Sequence, residues 1–199
     1  MSRRQIAQEL ECNFNMSGET VFHADDMTAI NEGLRTPEYK TGFDRNFWVW
    51  EKYQAGSTYL LSADVARGDG KDYSTFLILK IETMEVVGEY QGKATPDLFA
   101  NMLNEVGKEF GNCMIVVENN TVGWAVLDKL HEFGYPNIYY SYKSNHEYVD
   151  PIIGEHQSNT VMGFSMTSKT RPLVIAKLEE FIRNKLVTLY SSRTYNEMK

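Results

Sequence analysis

Three short β-rich runs that follow one another closely constrain this chain more than any other feature. Residues 59–65, 73–81 and 85–91 are apolar and strand-like, with a glycine turn in the first gap and three residues in the second. A parallel crossover needs a dozen or more residues, so strands this close in sequence are expected to pair as an antiparallel meander. The chain is therefore predicted to begin its sheet with three antiparallel strands.

Helices and strands alternate after the meander. In order, the patterns predict a helix from Thr95-Pro96 to about residue 110, a doubly covered strand over 113–117, a helix over 122–133, a fifth strand over 138–142, a long loop over 143–168, a helix over 172–184, an extended segment over 186–190 and a last helix from Ser191. An antiparallel meander followed by alternating elements predicts an α/β fold, a mixed sheet with helices on its faces. The expected buried face of the 172–184 helix consists of Leu173, Ala176, Leu178, Phe181 and Ile182.

The first part of the chain is different in character. Residues 1–56 have weak periodicity and an aromatic patch, and Ala-Gly-Ser near their end supplies turn chemistry. We interpret them as a linker or the remnant of a preceding module, and residues 57–199 as the main domain.

Composition excludes several classes of protein. The 199 residues carry 20 basic and 27 acidic side chains, a formal net charge of -7, and 42% are hydrophobic, which favours a globular domain over a disordered chain. We expect no membrane span and no secretory signal. Cys12 and Cys113 have no ligand spacing, so a cytosolic, reducing compartment is predicted. Residues 156–199 hold 7 basic and 3 acidic residues, which is where an anionic partner is least repelled.

Two carboxylates stand at predicted strand ends. Asp64 ends the first strand and Glu118 the fourth, and groups that emerge from strand ends meet in the ligand crevice of an open α/β sheet. If the two strands are neighbours, the carboxylates would bind Mg²⁺ or Mn²⁺, and two such ions about 3.5 to 4 Å apart can activate water for phosphodiester cleavage. The alternative is structural: Asp64 begins a turn, and Glu118 belongs to the cap of the next helix.

Further candidates lie in the hairpin and beside the last long helix. Asp72 would return towards Asp64 across the turn, either as a further carboxylate of the site or as a turn residue. The intervening Gly-Asp-Gly-Lys lacks phosphate-loop spacing. Lys169 and Arg171 precede a helix, where the positive helix end favours phosphate, although a solvated basic face is the alternative. The four histidines have no metal-ligand spacing and are expected at the surface.

These residues together resemble a known family. The stretches WVWEKYQAGSTYLLSADVARGDGKDYSTFLIL, IVVENNTVGWAVLDKL and SKTRPLVIAKLEEFIRNKLVTLY resemble the C-terminal nuclease domain of the large terminase subunit of tailed bacteriophages, over roughly residues 45 to 190. The resemblance implies an RNase H-like fold and a Mg²⁺- or Mn²⁺-dependent endonuclease, with a two-metal site, that cuts concatemeric viral DNA during packaging.

The resemblance also implies residue roles and partners. Asp64 and Glu118 match the first two of the family's three metal-binding carboxylates, and Asp72 matches a further acidic position of the hairpin. The implied partners are double-stranded viral DNA, the terminase ATPase module, the small terminase subunit and the portal or procapsid. The implied location is the packaging vertex in the host cytoplasm. The opening segment resembles the end of the ATPase module.

Two departures from the family pattern keep alternatives open. The ATPase module's P-loop is absent, and no aspartate follows Asp150; only Glu155, Glu179, Glu180 and Glu197 do. We therefore expect the chain to stop before the helix that carries the third carboxylate. The alternatives are a catalytically incomplete DNA-packaging or DNA-binding fragment and another RNase H-like nuclease of the resolvase or transposase type.

Overall fold

The computed structural model describes residues 21–42 and 44–199. The elements in chain order are α1 (Ala24–Glu32), β1 (Tyr39–Thr41), β2 (Phe47–Val49), β3 (Tyr59–Asp64), β4 (Ser74–Lys80), β5 (Glu85–Gly92), α2 (Pro96–Glu109), β6 (Met114–Val117), α3 (Gly123–Glu132), β7 (Tyr140–Tyr142), β8 (Tyr148–Val149), α4 (Pro151–Gly154), β9 (Thr160–Met162), α5 (Thr170–Arg183) and α6 (Ser192–Glu197).

The main sheet has six strands in the order β1-β2-β5-β4-β3-β6. Strands β3, β4 and β5 are the predicted meander and pair antiparallel, whereas β6 pairs parallel to β3 after the α2 crossover. The predicted α/β architecture, a mixed sheet with helices on its faces, is confirmed. A second sheet of three strands has the order β8-β7-β9.

The two faces of the main sheet are buried to different degrees. Alternate residues of β3, β4 and β6 are buried in one apolar cluster, which helices α2 and α3 complete. The intervening residues on the other face are half-buried or exposed, among them Ser62 and Asp64 of β3. We call this second side the open face, and it is the side on which charged groups can meet solvent.

Helix α6 covers the part of the open face that is formed by β2 and β5. The hydroxyl of Ser191 accepts hydrogen bonds from the first turn of α6, as the predicted helix start requires. The Arg193 guanidinium lies 3.6 Å from the centroid of the Trp48 ring, and the hydroxyl of Thr194 donates to the buried carboxylate of Glu89. Helix α6 therefore contacts β2, which precedes the β3–β4 hairpin in the sequence, and β5, which follows it.

Several predictions need correction or addition. Strands β1 and β2 lie within the expected linker, yet β2 pairs with β5 and its Phe47 and Val49 are in the core. The remnant interpretation of residues 1–56 and the domain boundary stay predictions, and residues 1–20, including Cys12, lie outside the described part. The expected loop over 143–168 contains β8, α4 and β9, which form the second sheet with the predicted fifth strand. Ile138, just before β7, connects this region to the main sheet through a bridge to Ile115 of β6.

The predicted buried face of the last long helix is largely wrong. Ile182 is buried, but Leu173 is 71% exposed and Leu178 is 41% exposed. Helix α5 packs through its C-terminal end, where Ile182 joins a small cluster with Phe22 and Met27. The helical period is present, but a tertiary partner for its apolar side is not among the described residues. No helix within the described ranges is long and apolar enough to cross a bilayer.

Candidate active site

Asp64 and Glu118 are cross-strand neighbours at the ends of β3 and β6. The parallel register pairs Ala63 with Val117, and the backbone N–H of Glu118 donates to the Ala63 carbonyl at 3.0 Å. The next residue on each strand is the carboxylate. Adjacent strands lie about 4.8 Å apart, and residues in register point to the same face. Both carboxylates therefore stand side by side on the open face.

The charge on Glu118 is affected by this neighbour. Burial and then the Asp64 carboxylate raise the pKa of Glu118, while the Arg171 guanidinium opposes both effects. Two carboxylates that repel each other in this way favour protonation or a shared cation. The electrostatics thus couple three residues that lie on three different elements.

The segment that leads into helix α5 is fixed to the end of β6. Phe164 bridges to Glu118, with its N–H donating to the Val117 carbonyl and its own carbonyl accepting from the Asn119 N–H. The Asn119 side chain donates to the Met162 carbonyl and accepts from the Ser165 hydroxyl, each at 2.9 Å. Asn119, the residue after Glu118, therefore holds the chain on both sides of Phe164 close to the end of β6.

A reciprocal cap begins helix α5. The Thr167 hydroxyl accepts from the N–H groups of Lys169 and Thr170, and the Thr170 hydroxyl accepts from the Thr167 N–H at 2.8 Å. The Thr170 hydroxyl also donates to the Ser165 carbonyl at 2.9 Å. This arrangement satisfies the free N–H groups of the first turn with hydroxyl oxygens. It fixes the backbone of the first turn of α5, to which Arg171 belongs.

Two glycines allow close backbone contacts behind Glu118. A Cβ atom on Gly123 would lie 1.9 Å from the Glu118 carbonyl oxygen. Gly163 has a φ of +76°, and a Cβ there would lie 2.5 Å from the Val117 carbonyl oxygen. No other amino acid fits either position without moving the end of β6.

The other predicted site residues are placed as follows. Asp72 is exposed in the hairpin loop before β4, and it is not among the charged groups that shift the pKa of Glu118. Lys169 and Arg171 are both exposed at the start of α5. Arg171 lowers the pKa of Glu118, whereas Lys169 is not among the groups that act on it. A helix cap is the alternative role that the sequence indicates for the Glu-Asn-Asn stretch. Asn120 has that role, because its side-chain oxygen accepts from the N–H groups of Val122 and Gly123.

The donor set fits one divalent ion of the magnesium type. Among residues 21–42 and 44–199, no group of three or more His, Cys, Asp or Glu side chains is arranged to hold a metal. Mg²⁺ is nevertheless often held by one or two carboxylates, with waters and substrate phosphates as its other ligands. Asp64 and Glu118 supply such a pair, and burial, followed by the Asp64 charge, raises the pKa of Glu118.

The residues that position the site were mostly missed by sequence reasoning. Asn119 and Ser165 are 46 positions apart and have no local signal that joins them. The Thr-Ser-Lys-Thr spacing at 167–170 is a recognisable cap with two hydroxyl residues three positions apart. Gly123 is the second residue of the predicted 122–133 helix, and a glycine inside a helical pattern can indicate close backbone approach.

Comparisons with known proteins agree with this fold. The magnesium-bound large terminase nuclease of thermophilic phage G20c matches with a TM-score of 0.62 and 18% identity, over 89% of this chain and 77% of that one. Its zinc-bound form matches at 0.61 and 17%, over 87% and 85%. The Thermus phage P74-26 large terminase nuclease domain matches at 0.59 and 16%, over 85% and 73%.

No family model matches the chain, and no curated protein matches it. Identities this low establish the fold only. The resemblance inferred from the sequence is confirmed at that level: the chain has the RNase H-like fold of phage large terminase nuclease domains.

Proposed function

We propose that this chain is the nuclease part of a phage DNA-packaging terminase, a divalent-metal-dependent endonuclease that cuts concatemeric viral DNA. The observation that carries the proposal is the pairing of Asp64 and Glu118 on the open face of the sheet. The structural neighbours, solved with magnesium or zinc, support a metal at this site. The proposed location is the packaging vertex of the procapsid, in the host cytoplasm.

Asp64 and Glu118 would hold Mg²⁺ or Mn²⁺. A divalent ion bound there supplies a water nucleophile at neutral pH and positive charge beside the scissile phosphate. The protein orients the two carboxylates through the rigid β3–β6 pair and through the bridge from Glu118 to Phe164. A two-ion site needs one more oxygen donor, and Asp72 is our candidate within the hairpin.

Lys169 and Arg171 would contact the DNA backbone at the start of α5. Both are exposed, and a helix N-terminus beside basic side chains favours phosphate. Contacts of this kind carry no base information, so we propose cutting with weak sequence preference. The ATPase module, the small terminase subunit and the portal are the proposed protein partners.

Plasmid nicking in Mg²⁺ tests the proposal. Asp64→Asn should abolish cutting, because it removes one charged ligand while keeping the size of the side chain. Asp69→Asn is the matched control, since Asp69 is exposed in the same hairpin and its ion pair with Arg67 is a surface contact of 3.8 Å. Equal cutting by wild type and Asp64→Asn would refute the site assignment.

A second candidate is a packaging or DNA-binding module without nuclease activity. It is favoured by the lack of a third metal-ligating side chain beside Asp64 and Glu118 in the described part of the chain. Thermal unfolding with added Mn²⁺ separates the two. The nuclease should be stabilised by Mn²⁺, and Glu118→Gln should remove that effect; the non-catalytic module should show no stabilisation.

A further inference from the structure

Ser74 is a polar residue on the buried side of an otherwise apolar strand. Strand β4 places Ser74, Phe76 and Ile78 on the same side of the sheet, and all three are completely buried. A hydroxyl group in such a place costs free energy unless hydrogen bonds satisfy it. A small apolar residue would fit the alternation of β4 without that cost. The serine therefore indicates a role beyond core packing.

The Ser74 hydroxyl binds the backbone just beyond Asp64. It accepts from the Ala66 N–H at 3.0 Å, and it donates to the Ala66 carbonyl at 3.3 Å. The hydroxyl thus uses its donor and its acceptor on one residue of the chain that leaves β3. Because the hydroxyl is buried, these bonds lie in a medium of low dielectric constant, where they are stronger than in water.

These two bonds are made where β3 leaves the sheet. Asp64 is the last residue of β3 in the ladder with β4. On the side of β6, the Ala63 carbonyl accepts from the Glu118 N–H at 3.0 Å. The backbone around Asp64 is therefore held before it by Glu118 and after it by Ser74. The second contact extends the hold two residues beyond the end of the strand, to Ala66.

We propose that Ser74 is a positioning residue for Asp64, whose carboxylate it keeps beside Glu118 by holding the backbone at Ala66. The inference rests on the proposed metal site and adds a residue that does not touch the metal. Removal of a group that orients a metal ligand typically lowers metal affinity by about 10- to 100-fold. Ser74 acts on its ligand through the backbone, so we expect the lower end of that range.

The loop between β3 and β4 has further anchors, so loss of the Ser74 hydroxyl should leave the fold intact. Gly68 lies against the chain before α2, where a Cβ atom would be 2.6 Å from the Ala94 carbonyl oxygen. Val65 is itself part of the apolar core. Ser74→Ala should therefore loosen the end of β3 without detaching the loop.

Isothermal titration of the metal-free protein with Mn²⁺ tests the inference without an activity assay. Ser74→Ala should bind Mn²⁺ about tenfold more weakly than wild type. Ser74→Cys keeps the size of the side chain but offers only a weak donor and acceptor, so it should show the same loss. Thr160→Val is the matched control, because the buried Thr160 hydroxyl donates to the Gln157 carbonyl at 2.7 Å beside the second sheet. It should lower the Tm and leave the Mn²⁺ affinity as in wild type.

Hydrogen exchange of the Ala66 amide measures the bond itself in the metal-free protein. Ser74→Ala should speed this exchange on the order of tenfold, the factor that corresponds to one net hydrogen bond. Thr160→Val should leave it unchanged. An Ala66 amide that exchanges at the same rate in wild type and Ser74→Ala would refute the hold on the end of β3.

The outcomes of the titration separate this inference from the proposed function. If Glu118→Gln loses Mn²⁺ binding while Ser74→Ala binds Mn²⁺ as wild type does, the metal site stands and the positioning role is overturned. The role is also overturned if Ser74→Cys binds like wild type, because the loss in Ser74→Ala then comes from the cavity. A loss of the same size in Thr160→Val overturns it too, since that loss reports general destabilisation. If wild type and Glu118→Gln titrate identically, the metal site is overturned, and the inference is overturned with it.

Discussion

Gly123 provides the sharpest test of how the site is held in place. It is the first residue of α3, and its N–H donates to the Asn120 side chain at 2.8 Å. A methyl group at this position would lie 1.9 Å from the Glu118 carbonyl oxygen, whereas real Cβ atoms essentially never approach closer than 3.0 Å. Gly123→Ala must therefore move the start of α3 and the end of β6 apart by about 1 Å, the difference between these two distances.

Two opposing contributions decide the sign of the change in stability. Alanine has a higher helix propensity than glycine, by about 1 kcal/mol at most in a helix interior. The clash involves backbone on one side and a helix on the other, and overpacking of this kind costs about 1–3 kcal/mol. The helix-propensity gain is smaller at the first helical residue than in the interior, so we expect net destabilisation of up to about 2 kcal/mol, seen as a fall in Tm of up to about 8 °C for a chain of this size. Displacement of a catalytic group by about 1 Å should lower the nicking rate on the order of 100-fold.

Thermal unfolding and plasmid nicking measure the two effects on the same protein samples. Gly33→Ala is the control, because Gly33 caps α1 with an ordinary negative φ and the nearest atom to the place its methyl group would occupy is 3.4 Å away. It should leave both stability and nicking close to wild type. A Gly123→Ala protein that is as stable as wild type and cuts at the same rate would refute the close contact between α3 and Glu118.

Three further predictions concern other groups. Glu118→Gln should raise the Tm of the metal-free protein at pH 7, because the pKa of Glu118 is raised in the folded state and its ionisation above pH 4.5 then favours the unfolded chain; a lower Tm would contradict this. Burial raises the pKa of the Cys113 thiol from 9.0 to about 11, so the free energy of unfolding should fall as the pH rises from 9 to 11. Urea unfolding at about pH 9 and pH 11 measures that fall, and Cys113→Ala should reduce it. Ser191→Ala removes the cap of α6 and should cost about 1 kcal/mol in urea unfolding, with nicking unchanged; an unchanged midpoint would argue against the cap.

The exposed part of α5 shows the limit of pattern reading. Leu173 and Leu178 belong to a helical pattern, and the helix they predict is present. Their burial did not follow, since they are 71% and 41% exposed. Periodicity reports which residues share a side of a helix, but only a tertiary partner buries that side. Strand β2 shows the converse, because its three residues are too few to give a period, yet Phe47 and Val49 are buried where the strand pairs with β5.

The sequence by itself determined the local elements around the site: the meander, the apolar strand β6, and a carboxylate at the end of each of the two strands that form the site. These follow from short-range properties, namely alternation, turn residues and helix starts. Only the tertiary structure decided that β3 and β6 are parallel neighbours in a register that places Asp64 beside Glu118. It also decided that Arg171, which lies far from Glu118 in the chain, lowers the pKa of that carboxylate. Strand pairing and helix docking depend on contacts between distant residues, and no local pattern in the sequence encodes them.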